Sequence, residues 1–366
     1  MAGAQTNLEI SYFNSSSGEL VFGEVQGATN YYVLWTSDLS MGWTNLDSPL
    51  NAIPPGGNGS VTCSVPLNAA SSGFFKVGAE LDSGVIISME MVMIASNQFL
   101  MGSVFAIDDS YGDENPTHFV NLDAYSIGAY EVTWSQWDQV RGWALDHGYN
   151  LTAGSGKDEN HPVQQINWFD AVKWCNALSE LEGLTPCYTV TGAVYRTGNA
   201  EPECNWSADG YRLPTEAEWE WAARGEAGGT RFPWDESVIN HDHANYLAFN
   251  GYAYDNSPYN EFTYHPTYST NSYPYTSPVG SFPANASGLY DVSGNVMEFC
   301  WDWYVPDYYA ESPTSNPHGP SEGSSRILRG GSWASEAFFC RLSARADTQP
   351  DIGFTDVGFR VCRTTP

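Results

Sequence analysis

The chain has 366 residues, of which 43 are Asp or Glu and only 14 are Lys or Arg, so its formal net charge at pH 7 is −29. This charge argues against nucleic acids and anionic membrane surfaces as partners, because both repel an acidic protein. The hydrophobic fraction of 42% is sufficient for a sizeable core, and no run of eighteen apolar residues predicts a transmembrane helix. No signal peptide is recognisable at the N-terminus.

Residues 1–84 predict a small all-β domain. Five β-rich runs, LEISYF, ELVFGEV, NYYVLWTS, SVTCSVP and GFFKVGAEL, are separated by turn clusters such as NSSSG and IPPGGNG. This spacing predicts an antiparallel sandwich of the immunoglobulin or fibronectin-III type. The segment contains no candidate site, so we expect it to serve as a spacer or attachment module.

Residues 85–366 predict a second domain with few helices and many loops. Three helices are indicated by N-terminal capping pairs, in which a side chain accepts a hydrogen bond from a backbone amide of the first turn. The pairs are Thr133 with Gln136, Asn167 with Asp170, and Thr215 with Glu218. The second helix carries an apolar stripe that we interpret as core. Two long loops, 245–283 and 305–325, are typical of functional segments or of segments pinned by side chains or ions.

The seven cysteines are too few for a disulfide scaffold, and their odd number leaves at least one unpaired within the chain. Cys187 and Cys204 flank a predicted hairpin and are the best candidate disulfide. Cys340 has two interpretations: a buried or disulfide-bonded residue, with Cys300 or Cys362 as partner, or a reactive thiol. The histidines show no helical metal-binding spacing. His241 and His243 form an isolated H-x-H with two interpretations, a metal-binding pair or a role within the loop, and its position just before Asn245 favours the loop role.

Seven motifs follow one another between residue 85 and residue 363. They are FLMGS, ENPTHFV, YEVTWSQW, HPVQQINWFDAVKWC, GYRLPTEAEWEWAARG, GLYDVSGNVMEFCWDWY and a C-terminal frame of LRGGSW, CR, SAR, PD and GFR. Taken together, this series resembles the formylglycine-generating (sulfatase-modifying factor) family. The resemblance implies an α+β fold, an elaborated C-type-lectin-like domain with few helices and long loops.

The same resemblance defines a catalytic question. The family's enzymes oxidise a substrate cysteine to formylglycine with oxygen and a copper(I) ion held by two cysteines five residues apart. Cys340 matches the second of these cysteines and Ser332 matches a serine of the site, but Ser335 stands at the position of the first cysteine. A hydroxyl is a hard ligand that stays protonated, and it binds copper(I) poorly. Cys340 and Ser332 are therefore catalytic candidates, and copper is expected, only if the chain is an enzyme.

The resemblance also implies calcium. The first family site maps to Asp291, Gly294, Val296 and Glu298, where two carboxylates and two backbone carbonyls supply hard oxygen ligands. A second site maps to Asn245, Tyr246, Asn271 and Tyr273. Asn271 stands where the family usually has Asp, so we expect the second site to be weaker.

The residues that vary within the C-terminal frame predict a binding surface, because this segment lines the ligand-binding face of lectin-like folds. Phe338, Phe339, Ile352 and Phe354 are large apolar residues without strand or helix period, and together they would form an apolar patch. For each one, an ordinary core position remains the alternative. The candidate ligand-binding residues are Trp333, Ala334, Ser335, Glu336, Ala337, Phe338, Phe339, Asp347, Thr348, Ile352, Phe354, Thr355 and Asp356.

This arrangement is also similar to the variable proteins of diversity-generating retroelements, which keep the same frame while scattered positions change.

Three hypotheses follow. The first is a non-catalytic, calcium-stabilised, lectin-like protein at the cell surface or outside the cell, with a fixed or hypervariable surface for a protein or glycan ligand. The second is a formylglycine-generating oxidase. The third is a structural or assembly component of an extracellular matrix or filament.

Overall fold

The computed structural model describes the strands between residues 10 and 81, and residues 87–365 except 106–110, 226–229, 235–236 and 271. The chain divides into two compact units, one of residues 1–88 with 178–185 and one of residues 89–177 with 186–366. Among the described residues, no helix combines the length and apolar character needed to cross a membrane.

The described strands of the N-terminal unit form two antiparallel sheets. Its strands are β1 (Ile10–Asn14), β2 (Glu19–Gly23), β3 (Ala28–Thr36), β4 (Thr44–Asn45), β5 (Leu50–Asn51), β6 (Ser60–Ser64) and β7 (Phe74–Leu81). One sheet has the order β1-β2-β6, and in the other β3 pairs with β4, β5 and β7. Each predicted β-rich run overlaps one of the longer strands, β1, β2, β3, β6 or β7. The immunoglobulin or fibronectin-III type stays a prediction.

The described residues of the second unit form short sheets, three helices and long loops, which confirms the α+β fold class. Its helices are α1 (Trp134–Asp146), α2 (Trp168–Leu181, of which residues 178–181 are grouped with the first unit) and α3 (Glu216–Arg224). Its strands are β8 (Met91–Ile94), β9 (Asn97–Met101), β10 (His118–Leu122), β11 (Tyr125–Gly128), β12 (Tyr188–Val190), β13 (Ala193–Val194), β14 (Glu203–Cys204), β15 (Tyr211–Arg212), β16 (Met297–Trp303), β17 (Arg326–Arg329), β18 (Ala346–Thr348), β19 (Val357–Gly358) and β20 (Cys362–Thr364).

The helices begin where the capping pairs predict. The Thr133 hydroxyl accepts from the Gln136 amide at 3.2 Å, and the Gln136 side chain accepts from the Thr133 amide at 2.9 Å. The same reciprocal pair forms between Thr215 and Glu218, and the Asn167 side chain accepts from the Asp170 amide. The stripe of α2 is buried, as predicted; it consists of Phe169, Val172, Trp174, Leu178 and Leu181.

Two four-stranded sheets hold the C-terminal segment. One has the order β18-β17-β16-β19, with β19 parallel to β16, and the other has the order β15-β20-β11-β8. The main core cluster lies between α3 and strands of both sheets, with Trp219, Ile127 and Ile327 among its members. The last forty residues therefore continue from β17 through irregular loops, rejoin the first sheet at β18 and β19, and end in the second sheet at β20.

Buried ion pairs fix the arginines of the C-terminal frame. Arg329 donates to Glu216 at 2.8 Å and to Glu220 at 2.7 Å, and Arg345 donates to Glu216 at 2.7 Å. The Arg345–Glu216 pair is bidentate, with a second bond at 3.0 Å. So are Arg341 with Glu114, at 2.7 and 2.8 Å, and Arg360 with Glu298, at 2.6 Å for both bonds. All four arginines are at most 3% exposed. The frame is thus tied to α3, β16 and the turn at Glu114.

The predicted Cys187–Cys204 disulfide is wrong. Cys187 and Cys204 are free thiols, as are Cys300, Cys340 and Cys362. Cys187 is fully buried and its thiol donates to the Gly210 carbonyl at 3.4 Å. The hairpin that the two cysteines flank does form, as β12 paired with β13 and β14, and backbone pairing rather than a covalent bond closes it.

We predict that Arg341→Met destabilises the protein by about 3–5 kcal/mol, because the Glu114 carboxylate then remains buried without its cation. Urea denaturation of the full chain measures this change. Arg141→Met is the matched control: Arg141 lies 4.0 Å from Asp138, whose side chain is 62% exposed, and we expect a loss below about 1 kcal/mol. Equal losses for the two variants would contradict a structural role for the buried pair.

Candidate functional site

The C-terminal segment turns sharply after β17. Gly330 and Gly331 both have positive φ, 90° and 70°. A Cβ atom added at Gly331 would lie 2.8 Å from the Cys340 sulfur, so the close approach of the two chain segments requires glycine. This turn places Ser332 and Trp333 directly after the glycines and Cys340 beneath them.

Cys340 lies in an apolar interior. It is fully buried in a cluster with Ala337, Tyr246, Tyr254 and Phe232. Burial raises the pKa of the Cys340 thiol well above its usual value, and the Asp255 carboxylate adds to the rise. The thiolate is the nucleophilic and metal-binding form, so this thiol is held in its unreactive form. The prediction that Ala337 contacts a ligand is corrected, because the side chain faces this interior.

Ser335 is part of a chain of polar side chains. Its hydroxyl lies 2.9 Å from the Ser332 hydroxyl, which donates to the Asp356 carboxylate at 3.0 Å. The Ser332 oxygen also accepts from the Ala334 amide at 3.2 Å. Burial raises the pKa of Asp356, and the bond from Ser332 opposes that rise. These bonds fix the turn at the position where the enzymes would need a second thiol.

Aromatic side chains surround Trp333. The tryptophan is 2% exposed, and its ring centroid lies 5.7, 5.1 and 5.4 Å from those of Tyr264, Tyr273 and Tyr275. The Tyr273 hydroxyl lies 2.6 Å from the Thr355 hydroxyl. Trp333 therefore supports the tyrosines from below and is not itself an open contact.

A second aromatic group forms around Phe338. Its ring lies 4.6 Å from Tyr111 and 5.3 Å from Phe339, in edge-to-face arrangements. The Arg341 guanidinium covers the Phe338 ring at 3.9 Å. Phe338 and Phe339 are half-buried, so they contribute ring edges to the surface and also anchor the segment.

The loop of residues 247–264 joins the two groups. Leu247 forms a parallel bridge with Glu336, and Ala248 an antiparallel bridge with Thr263. The Tyr252 hydroxyl donates to the Glu336 carboxylate. We call the resulting set of side chains the aromatic surface; its members are Tyr111, Phe249, Tyr252, Phe262, Tyr264, Tyr273, Tyr275, Phe338, Phe339 and Phe354.

Ile352 and Phe354 are 39% and 42% exposed, as a ligand-binding role requires. The backbone of this loop is held from behind, because the Phe354 carbonyl accepts from the Gln165 amide at 2.8 Å. Asp347 and Thr348 instead form β18, paired with Ile327 and Arg326. These two predicted ligand-binding residues are therefore part of the sheet and not of the aromatic surface.

Comparison with known proteins identifies the family. Residues 85–365 match the model of the sulfatase-modifying factor enzyme 1-like domain. The chain belongs to this family. Membership confirms the resemblance to formylglycine-generating enzymes and, with it, the predicted C-type-lectin-like fold.

Members of the sulfatase-modifying factor family that resemble this chain carry different names. Chaperone protein LppX of Paenibacillus barcinonensis is 33% identical over 286 residues, covering 76% of this chain and 90% of the relative. The formylglycine-generating enzyme of Streptomyces coelicolor is 34% identical, covering 71% and 87%. The solved structure of Treponema denticola variable protein 1 aligns with a TM-score of 0.58 at 31% identity, covering 76% and 96%. Membership alone therefore does not decide the activity.

The first calcium site that the family implies fits in part. Asp291 is 5% exposed, and its Oδ1 atom is buried without a hydrogen-bond partner, as expected of a cation ligand. Burial raises the pKa of Asp291 to about 7. Both oxygens of Glu298, however, accept from Arg360, and Oε2 also accepts from the Trp219 indole at 2.8 Å. Both oxygens of the Glu298 carboxylate are therefore already engaged in hydrogen bonds to protein groups.

The remaining predicted calcium ligands of the two sites lie in different surroundings. Gly294 has a φ of 88°, and a Cβ atom there would lie 2.4 Å from the Asn245 carbonyl oxygen. The Asn245 Oδ1 atom is buried without a partner, whereas the Tyr246 carbonyl accepts from a His241 ring nitrogen at 3.1 Å. Val296 is fully buried. Asn271 lies outside the described residues, which include no group of three or more His, Cys, Asp or Glu side chains arranged for a metal ion.

Sequence reasoning missed most of the aromatic surface. Several of its rings come from outside the C-terminal segment: Tyr111, Tyr252, Phe262, Tyr264 and Tyr275. The sequence predicts Tyr273 only as a calcium ligand. The available signal was the density of aromatic residues in the long loop of residues 245–283, which reads YLAFNGYAY and later TYHPTYSTNSYPY. The sequence of this loop does not indicate which of its rings face the C-terminal frame.

Proposed function

We propose that this protein is a non-catalytic ligand-binding member of the sulfatase-modifying factor family, and that the aromatic surface holds a protein or glycan ligand outside the cell. The observation that carries this proposal is the replacement of the thiol pair. Ser335 is hydrogen-bonded to Ser332, and Cys340 is buried in an apolar cluster that keeps its thiol protonated. Large rings exposed on a rigid frame suit binding, because little conformational entropy is lost when a ligand covers them.

Catalysis by the family's copper chemistry would need two soft thiolate ligands. This chain offers one protonated thiol and one hydroxyl. The oxidase remains the second candidate, because the enzyme of Streptomyces coelicolor is 34% identical over 287 residues.

We predict that the protein yields no formylglycine from a cysteine peptide of a sulfatase supplied with copper(I) and oxygen. Mass spectrometry of the peptide measures the product, and the Streptomyces coelicolor enzyme serves as the positive control. Cys340→Ala is the matched variant and should behave like the wild type. Product from the wild type that disappears in Cys340→Ala would establish the oxidase and refute the proposal.

We further propose that the exposed positions of the segment 334–356 are diversified among copies of the gene. The likeness to Treponema denticola variable protein 1 supports this, as does the way the frame arginines are fixed while Ile352 and Phe354 project outward. Sequencing codons 334–356 across the source population should show variation confined to exposed and half-exposed positions. Uniform codons, or variation at the buried Ala337 and Cys340, would refute diversification.

We propose that one calcium ion stabilises the fold, held by Asp291 with the carbonyls of Gly294 and Val296, where it would neutralise a buried carboxylate. Millimolar calcium should raise the melting temperature, since a ligand at a hundred times its Kd adds about 2.7 kcal/mol of stability. Asp291→Asn should remove most of this increase, whereas Asp347→Asn, on the exposed part of β18, should retain it. Equal increases in both variants would exclude Asp291 as a ligand.

A further inference from the structure

We infer that the ligand of the aromatic surface is a cationic polypeptide segment, whose arginine and lysine side chains lie against the exposed rings. This inference rests on the binding function proposed above and specifies the chemistry of the partner. Three features carry it: the exposure of the rings, the acidic residues next to them in the chain, and the buried ion pairs that engage the described arginines Arg329 and Arg341 of the frame beneath.

The rings are accessible. Tyr273 is 59% exposed, Phe262 53%, Tyr111 52% and Tyr264 38%. Aromatic faces attract guanidinium and ammonium groups that lie within about 6 Å of the ring centroid. The chain already uses this contact internally, since the Arg341 guanidinium covers one side of Phe338 at 3.9 Å.

Carboxylates occur next to the ring residues in the chain, and one of them contacts a ring residue directly. Glu261 is exposed and directly precedes Phe262, while Asp351 is exposed in the loop that carries Phe354. Glu336 is half-exposed and accepts from the Tyr252 hydroxyl. A cation placed on this surface would therefore meet rings and carboxylates together, and the combination favours a basic side chain over a neutral one.

Arg341 and Arg329, which lie beneath the surface, do not offset this negative charge, and the half-buried Arg231, 4.5 Å from the Tyr254 ring centroid, adds a single positive charge next to it. Arg341 is fully buried and bound to both oxygens of Glu114, and Arg329 is bound to Glu216 and Glu220. Lys157 lies at the edge, 6.0 Å from the Tyr275 ring, and its ammonium donates to the Tyr268 carbonyl at 3.1 Å. With a net charge of −29 over the whole chain, the long-range field also attracts a basic partner and repels an anionic glycan.

The experiment is a selection of short random peptides displayed on phage against the immobilised full-length protein, followed by affinity measurements on the recovered peptides. The test variant is Tyr273→Ala with Phe354→Ala. Phe119→Ala is the control, because Phe119 is 57% exposed on β10 and is not part of the aromatic surface. A glycan array is probed with the same three proteins.

We expect recovered peptides enriched in arginine and lysine, with affinity at least tenfold weaker on the test variant, equivalent to about 1.4 kcal/mol, and unchanged on Phe119→Ala. Glu261→Gln with Glu336→Gln should weaken binding severalfold and flatten its dependence on salt. Neutral peptides or neutral glycans whose binding depends on Tyr273 and Phe354 would overturn the cationic partner and leave the binding function intact. The absence of any ligand that depends on these two residues would overturn both.

Discussion

The buried pairing of arginines with carboxylates is the constraint on which the rest of this domain depends. Arg329 and Arg345 share Glu216, Arg341 holds Glu114, and Arg360 holds Glu298. A charge buried without its partner costs several kcal/mol. Each arginine is therefore stable only in the position where it contacts its carboxylate. The irregular C-terminal segment, which has few backbone ladder bonds of its own, acquires its path from these pairs.

A frame fixed in this way leaves the intervening residues free to face outward. Between Arg329 and Arg341 the chain presents half-buried rings at Phe338 and Phe339, and between Arg345 and Arg360 it presents Ile352 and Phe354. Binding benefits from such rigidity, because little order has to be imposed on the surface when a ligand arrives. The same separation of fixed and open positions would tolerate sequence change at the surface without loss of the fold.

In the proposed function, the difference between this chain and the family's enzymes lies in the surroundings of two atoms. The Ser335 oxygen takes the place of a sulfur and is bound into the Ser332–Asp356 chain. The remaining thiol, on Cys340, is packed against Ala337, Tyr246 and Tyr254. The frame that would orient a catalytic pair is retained, but here it positions a turn and an apolar cluster, and the loop from residue 247 to residue 264 closes over both.

The sequence by itself determined the features that depend on local or frame-wide patterns. The capping pairs at Thr133 and Thr215 placed two helix starts, because those hydrogen bonds join residues three apart. The seven collinear motifs determined the fold, since a frame of this kind is shared across a family. Only the tertiary structure decided which members of an irregular segment face inward. Ala337 is buried while Phe354 is exposed, the thiols of Cys187 and Cys204 stay free, and aromatic residues from distant loops meet around Trp333. These outcomes depend on contacts between residues far apart in the chain, and no periodicity in an irregular loop records them.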